Sequence, residues 1–264
     1  MQAGFAFTKL ADRLTSLIEL SSDDLELLAR MPGTVRNFVP HEAVWRKGDE
    51  PAACCLLLQG YLCWKDVDAG AGQITAIYVP GDVPDLYTIV SPRVTAHLCT
   101  LGPVVAAFVP HAFLCEARAR SATLARALSL LTLADMACSR TWLTNLGSRD
   151  SLSRVAHLIC EITVRLRAVG LARDLRFPSP FTQSDLAAIC GISAVHANRI
   201  IQDLRRRELL HWHSRTIAVT DWAGLTRLAG FRPDYLMLRQ TPLLEPHSAV
   251  PQPTEATFES PAPT

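Results

Sequence analysis

The chain has no apolar run near the roughly 18 residues that a membrane-spanning helix requires, and its N-terminus lacks the basic-then-apolar layout of a signal peptide. A soluble protein of the cytoplasm, with no membrane partner, is the expectation. Its eight cysteines (Cys54, Cys55, Cys63, Cys99, Cys115, Cys138, Cys160, Cys190) form no C-x-x-C pair, no C-x-x-C-H and no spacing of a zinc or iron–sulfur site. Neither a metal nor a cofactor is expected. The cysteines read as small apolar core residues kept reduced. Oxidant sensing by Cys54-Cys55 or Cys63 would need an exposed thiol of lowered pKa. G-x-S-x-G and Gly-rich phosphate loops are also absent, so no catalytic residue is nominated and an enzyme is not expected. A metal-dependent barrel would need clustered histidines, whereas His41, His97 and His111 are unpaired in sequence. His211 and His213 share one face of a predicted strand, where a solvated or phosphate-facing pair is the simpler reading than a metal site.

What is present suffices for two modest cores: 264 residues, 49% of them hydrophobic. The net charge of +1 hides an uneven spread. Residues 151–240 hold 13 basic against 7 acidic side chains, whereas residues 1–150 hold 13 against 15 and residues 241–264 hold none against 3. The basic segment suits a polyanionic partner, although solvated helices carry such an excess too.

Leu14, Leu17, Ile18, Leu25 and Leu28 fall at helical spacing around "SSDD", which predicts two short amphipathic helices over 10–30. From about 34 to 109, short apolar runs such as "CCLLLQGYLCW" and "QITAIYVPGDV" alternate with glycine and proline, the pattern of an all-β sandwich, roll or barrel. Residues 111–146 become helical, with Leu124, Leu128, Leu131, Ala134, Ala137 and Leu143 tracing a stripe. That stripe offers either a dimer seam or a packing face on the chain's own β-domain. Gly147 stands where a helix stop is expected. A further helix follows over 151–169, with Val155, Leu158, Ile159, Ile162 and Leu166 inward. The tail from Thr241, with six prolines in 24 residues, reads as disordered.

The stretch "TQSDLAAICGISAVHANRIIQDLRRRELL" over 182–210 reads as two short helices joined at Gly191, which suits a positive φ. Thr182 and Asp185 have capping-box spacing, and Ser193 is placed to cap the second helix. Ala197, Ile200, Ile201 and Leu204 make one buried face. The other side presents Val195, Arg199, Gln202 and Arg206, with His196 and Asn198 at its margins. Ordinary packing has no use for that polar set, whereas a helix in the major groove needs such donors and acceptors. Arg199 is the candidate for a guanine contact, because its planar fork matches O6 and N7. His196 and Asn198 could contact base or phosphate, and Val195 a thymine methyl. Thr182, Gln183 and Ser193 complete the nominated DNA-facing set, while Arg205 to Arg207 suit phosphates or solvent. "LLHWHSRTIAVTD" then reads as a hairpin turning near Ser214-Arg215.

With Phe181 before it and the hairpin and "TDWAGLTRLAGF" after it, this stretch resembles the winged helix-turn-helix of the Crp/Fnr family of bacterial transcription regulators. "WRKGDEPAACCLLLQGYL" and "YVPGDV" are similar to the family's sensor roll. The resemblance spans about 10–235 and implies an α+β fold. An antiparallel β-roll of the double-stranded β-helix kind would occupy 1–110, a long dimerisation helix 111–146 and a winged helix-turn-helix 147–240. It also implies a homodimer on a pseudopalindromic double-stranded DNA site, with RNA polymerase as a further partner.

Two departures stand out. Ala194 and Val195 occupy the first turn of the second helix, where familiar members carry charged readers, so the operator should differ. In cyclic-nucleotide-binding members a Gly-Glu pair holds the ribose and an Arg followed by Ser or Thr holds the phosphate. Here Pro84-Asp85 and Val94-Thr95 stand at those places, with Arg93 one position off. Gly81, Asp85, Arg93 and Thr95 therefore outline a degenerate effector pocket, cyclic AMP is not the expected signal, and the effector is unknown. No cysteine precedes Cys54, so the N-terminal cluster of iron–sulfur sensors is missing too. The other reading is a dimerising interaction module or antagonist that keeps this fold without reading DNA.

Overall fold

The computed structural model describes residues 2–66, 72–179, 181–213 and 215–239, so the proline-rich tail lies outside the described residues. The chain opens with α1 (Gln2–Thr15) and α2 (Ser22–Ala29). α2 starts where Ser21 and Asp24 each bind the other's backbone N–H. Seven strands follow: β1 (Thr34–Phe38), β2 (Ala43–Trp45), β3 (Ala53–Gln59), β4 (Leu62–Asp66), β5 (Gln73–Tyr78), β6 (His97–Thr100) and β7 (Val104–Pro110). They pair as two antiparallel sheets, β1-β7-β3 and β2-β6-β4-β5, which form the expected roll.

β3 and β7 are covered on both faces, and the two-residue period sorts their side chains between two cores. Cys55, Leu57, Ala106 and Phe108 point between the sheets, toward Leu62, Trp64 and Leu98. Cys54, Leu56, Leu58, Ala107 and Val109 point outward under helices. Double coverage explains the unbroken apolar runs in this part of the sequence.

The single helix expected over 111–146 is two helices, α3 (His111–Arg120) and α4 (Ala122–Ser148). Ser121 is extended at the break, where its hydroxyl accepts the Leu124 N–H and donates to Asp24. α4 runs straight through Gly147, which has open space where a Cβ would sit. The stop comes from Asp150, whose extended backbone and Ser153-bound carboxylate cap α5 (Ser151–Ala168). The stripe also divides differently. Leu124, Leu128 and Leu131 pack on the chain's own roll and Ala134 is buried. The exposed apolar face instead carries Leu133, Met136 and Leu143, the last 72% exposed.

Beyond α5 come β8 (Arg176–Pro178), α6 (Gln183–Cys190), α7 (Ala194–Arg206), β9 (Leu210–His213), β10 (Thr216–Val219) and α8 (Trp222–Ala229). β8 adds a third strand to the expected hairpin, in the order β8-β10-β9. α5 is the axis of this half, with every residue from Val155 to Leu166 buried. Its apolar cluster continues into Cys63, Ile74 and Ile77 on the outer face of the four-stranded sheet.

Burying Glu161 and Arg165 on α5 requires partners. Arg165 Nη2 donates to Asp82 Oδ2 at 2.7 Å, and Arg13 Nε donates to Asp82 Oδ1 at 2.8 Å. Glu161 Oε1 lies 3.3 Å from Arg165 Nη1, while its Oε2 accepts from Trp142 and Tyr235. Burial would raise the pKa of Asp82, but the guanidiniums of Arg165 and Arg13 outweigh it and hold the carboxyl below its usual range. This network joins α1, the roll, α4 and α5 behind the helices that face outward.

Candidate nucleic-acid interface

The two-helix unit is assembled by the devices its sequence announces. Thr182 and Asp185 form the reciprocal cap of α6, with bonds of 3.0 and 2.9 Å. Gly191 ends α6 at φ 62°. The turn closes with the Ile192 N–H on Ala187 O, and Ser193 Oγ accepts the His196 N–H to start α7. Ala197, Ile200 and Leu204 are buried on the inner side of α7, with Ile201 half-buried beside them.

The outer side presents Val195, 65% exposed, together with Arg199, Gln202 and Arg206. Arg199 has no polar partner within the chain among the described residues, so its five donors face outward. Arg206 and Arg207 share Asp203 at 3.0 and 3.1 Å, contacts that an exposed pair gives up at little cost. His196 is exposed, but its Nε2 lies 2.7 Å from Ser151 Oγ at the start of α5. It braces the neighbouring helix as well as flanking the outward face. Asn198 Oδ1 accepts from Gln202 Nε2 at 3.0 Å.

Between α7, the start of α6 and the hairpin runs a groove of about 460 Å³. Thr182, Gln183, Asn198 and Gln202 line it, so four of the nominated residues converge on one surface. Arg205 and His213, read from the sequence as phosphate-facing or solvated, line it as well, and so does Arg215, to which sequence reasoning gave no role. The signal for Arg215 was there: it is a basic residue at the hairpin turn, where its φ is 64°. Also missed was Arg154, whose guanidinium donates to the carbonyls of Asn145, Leu146, Arg149 and Cys190. It fastens the end of α4 to the turn after α6.

Of the four residues nominated for an effector pocket, Gly81 and Asp85 are engaged within the protein, whereas Arg93 and Thr95 are exposed. The bare face of Gly81, at φ 96°, is covered by α1, since a Cβ there would lie 2.7 Å from Arg13 Cβ and Lys9 O. Asp85 is fully buried, and its carboxylate accepts from the Cys55 N–H and from Trp45 Nε1 at 2.7 Å. Arg93 and Thr95 are exposed on either side of Val94, which is buried between the sheets. The segment is irregular rather than a strand, which begins only at His97. The thiols of Cys54, Cys55 and Cys63 are buried, and burial pushes their pKa values up, the reverse of what oxidant sensing needs.

Residues 153–228 match the family of Crp-like helix-turn-helix domains. No curated protein matches the chain in sequence. Among solved structures, FixK2 from Bradyrhizobium japonicum is similar with a TM-score of 0.66 at 19% identity, over 75% of this chain and 98% of that one. A CRP-family transcriptional regulator of Thermus thermophilus is similar at 0.58 and 19%, over 74% and 97%. A CooA variant from Carboxydothermus hydrogenoformans is similar at 0.58 and 13%, over 84% and 95%. The domain match makes residues 153–228 similar to Crp-like helix-turn-helix domains, and the likeness to these structures shows that the chain shares the fold of Crp/Fnr-type regulators.

Proposed function

We propose that the chain is a sequence-reading DNA-binding regulator that acts as a homodimer in the cytoplasm and is not gated by cyclic AMP. The observation that carries this reading is the outward face of α7. Arg199 and Val195 are exposed beside a polar groove that Gln202 helps to line, while the opposite face of the same helix is buried. In this reading α7 enters the major groove, Arg199 contacts a guanine, and Arg205, Arg215 and His213 take phosphates or the groove edge. The half from about 147 to 240 is the DNA-binding unit and the half from 1 to 110 the sensor roll.

The exposed face of α4 supports dimerisation. Leu133, Met136 and Leu143 follow one another by three and seven residues, the spacing of a helix-helix seam. A two-fold dimer would present two copies of α7 to half-sites one helical turn apart, with RNA polymerase as a family partner. The occupied carboxylate of Asp85 and the buried Val94 favour a signal other than cyclic AMP, because neither offers a group to ribose or phosphate.

Selection of binding sites from random duplex DNA with the full chain, without and with cyclic AMP, tests the proposal. A two-fold symmetric site enriched without nucleotide is expected. Enrichment only with cyclic AMP would overturn the independence from nucleotide, and no enrichment in either condition would overturn DNA reading in favour of an interaction module.

A further inference from the structure

One cleft is shared by the roll and the winged half. It measures about 520 Å³, within the range of small-molecule sites, and it lies between two structural halves, where such sites concentrate. Leu58 and Pro103 wall it from the roll, and Leu166 and Leu171 from the end of α5 and beyond. The wall on the roll side is fixed. Gly60 holds φ 90° in the turn between β3 and β4, and a Cβ there would collide with Pro103 O. Tyr61 OH donates to Pro178 O at 2.7 Å and so ties that turn to β8.

The polar groups of the cleft are few and of one sign. Lys9 and Arg215 bring positive charge, and no acidic side chain lines it among the described residues. Ser179 is 2% exposed, and its hydroxyl has no hydrogen-bond partner among the described residues. A buried hydroxyl left unpaired is costly, so a group that could pair with it has something to gain there. Its own backbone N–H donates to Arg215 O at 2.8 Å, which puts this residue directly behind the hairpin turn.

We infer that the cleft binds a small amphipathic organic anion, with a hydrocarbon body against Leu58, Leu166 and Leu171 and a carboxylate toward Arg215, Lys9 and the Ser179 hydroxyl. The absence of acidic lining excludes a cationic ligand, and the leucine and proline walls disfavour a bare inorganic anion. The site has a route to the interface, because Arg215 lines both this cleft and the groove beside α7. An anion that draws on Arg215 competes with whatever Arg215 does in that groove. The binding site stands by itself, whereas its effect on DNA rests on the proposed function.

The test is titration of the full chain, by calorimetry, with 1-naphthylacetate and with the neutral 1-naphthylacetamide. One saturable site per chain is expected, with the acid bound about tenfold more tightly than the amide, the effect of one charge-assisted hydrogen bond. Arg215→Gln should abolish that preference. Ser179→Ala should weaken the acid several-fold and leave the melting temperature unchanged or higher, since it removes an unpaired buried group. No saturable binding up to roughly millimolar probe, equal affinity for acid and amide, or indifference to both substitutions would each overturn the site. If the site binds as expected but saturating naphthylacetate leaves the affinity for the selected DNA unchanged, the coupling through Arg215 is wrong and the site remains.

Discussion

Acid should loosen the joint behind the interface through His157, and a single substitution should make that visible. The imidazole lies on α5 among Trp142, Phe231 and Tyr235, at ring-centroid distances of 6.1, 5.1 and 5.9 Å. Its Nε2 is 3.0 Å from Tyr235 OH, which in turn donates to Glu161 at 2.7 Å. Burial, and then the charge of Arg149, hold the ring's pKa down at about 4 against an ordinary 6.5. Between those values the unfolded chain binds a proton that the folded chain refuses. The stability His157 contributes is therefore complete above pH 6.5 and lost as pH falls through 4, roughly 3 kcal/mol for about 2.5 units. Asp85 works in the opposite sense. Burial, partly offset by the Cys55 N–H and Trp45 donors, lifts its pKa to about 6 from 3.8. The folded chain then takes the proton first, so stability rises as pH falls from 6 to 3.8, again by roughly 3 kcal/mol. In the native chain the two contributions largely cancel across pH 4 to 6. His157→Phe, which suits the aromatic surroundings, removes one of them. Urea unfolding followed by tryptophan fluorescence should show the variant gaining about 3 kcal/mol relative to the native chain between pH 7 and pH 4. Taking the difference at each pH removes the carboxylates that titrate in both. A difference constant to within about 0.5 kcal/mol across that range would refute the reasoning, because the imidazole would then titrate alike in both states.

Arg199→Ala should weaken DNA binding by about 1–3 kcal/mol at one base position per half-site, read by affinity across single-base variants of the selected site, and uniform weakening on all sequences would make Arg199 a phosphate contact instead. Leu143→Glu should shift the sedimentation of the full chain from dimer to monomer at micromolar concentration while leaving its far-UV circular dichroism unchanged, since Leu143 is 72% exposed within one chain. A dimer that persists would place the seam elsewhere. Gly191→Ala should cost about 1–2 kcal/mol in chemical unfolding, because it forces a side chain into the left-handed region at φ 62° with its Cβ 3.4 Å from Leu146 Cδ2. Asp82→Asn should cost about 3–5 kcal/mol by the same assay, since it strands the buried guanidiniums of Arg13 and Arg165.

Where a feature depends on neighbours in sequence, it was legible. The cap at Thr182, the turn at Gly191, the start at Ser193 and the buried face of α7 all follow from i to i+4 chemistry, and each lies where spacing puts it. Features decided by remote parts of the chain were not. The break at Ser121 needs Asp24 to accept its hydroxyl, and nothing near Ser121 discloses that. The stripe on α4 was read as one surface, yet the roll covers its Leu124, Leu128 and Leu131 and leaves its Leu143 outside, on an exposed face with Leu133 and Met136, which were not part of the stripe. Both sets have helical spacing, so periodicity alone could not say which would be covered.

The turn after β5 shows the same limit from the other side. Gly81 adopts a φ of 96°, a conformation that a tight turn reserves for glycine. What stands against that backbone is set by α1, far upstream in the chain, whose Arg13 both covers Gly81 and binds Asp82. Asp85 was placed as a ligand contact because of its position in the turn, yet its carboxylate answers the Cys55 N–H and the Trp45 indole inside the roll. A fully buried carboxylate with those two donors is already bound within the protein, and presenting it to a ligand would leave both donors unpaired in the core. Any signal that acts on this chain through the roll must therefore either break that arrangement or enter elsewhere. The cleft beside Ser179 asks for no such rearrangement, and it already borders the hairpin turn that lines the groove of α7.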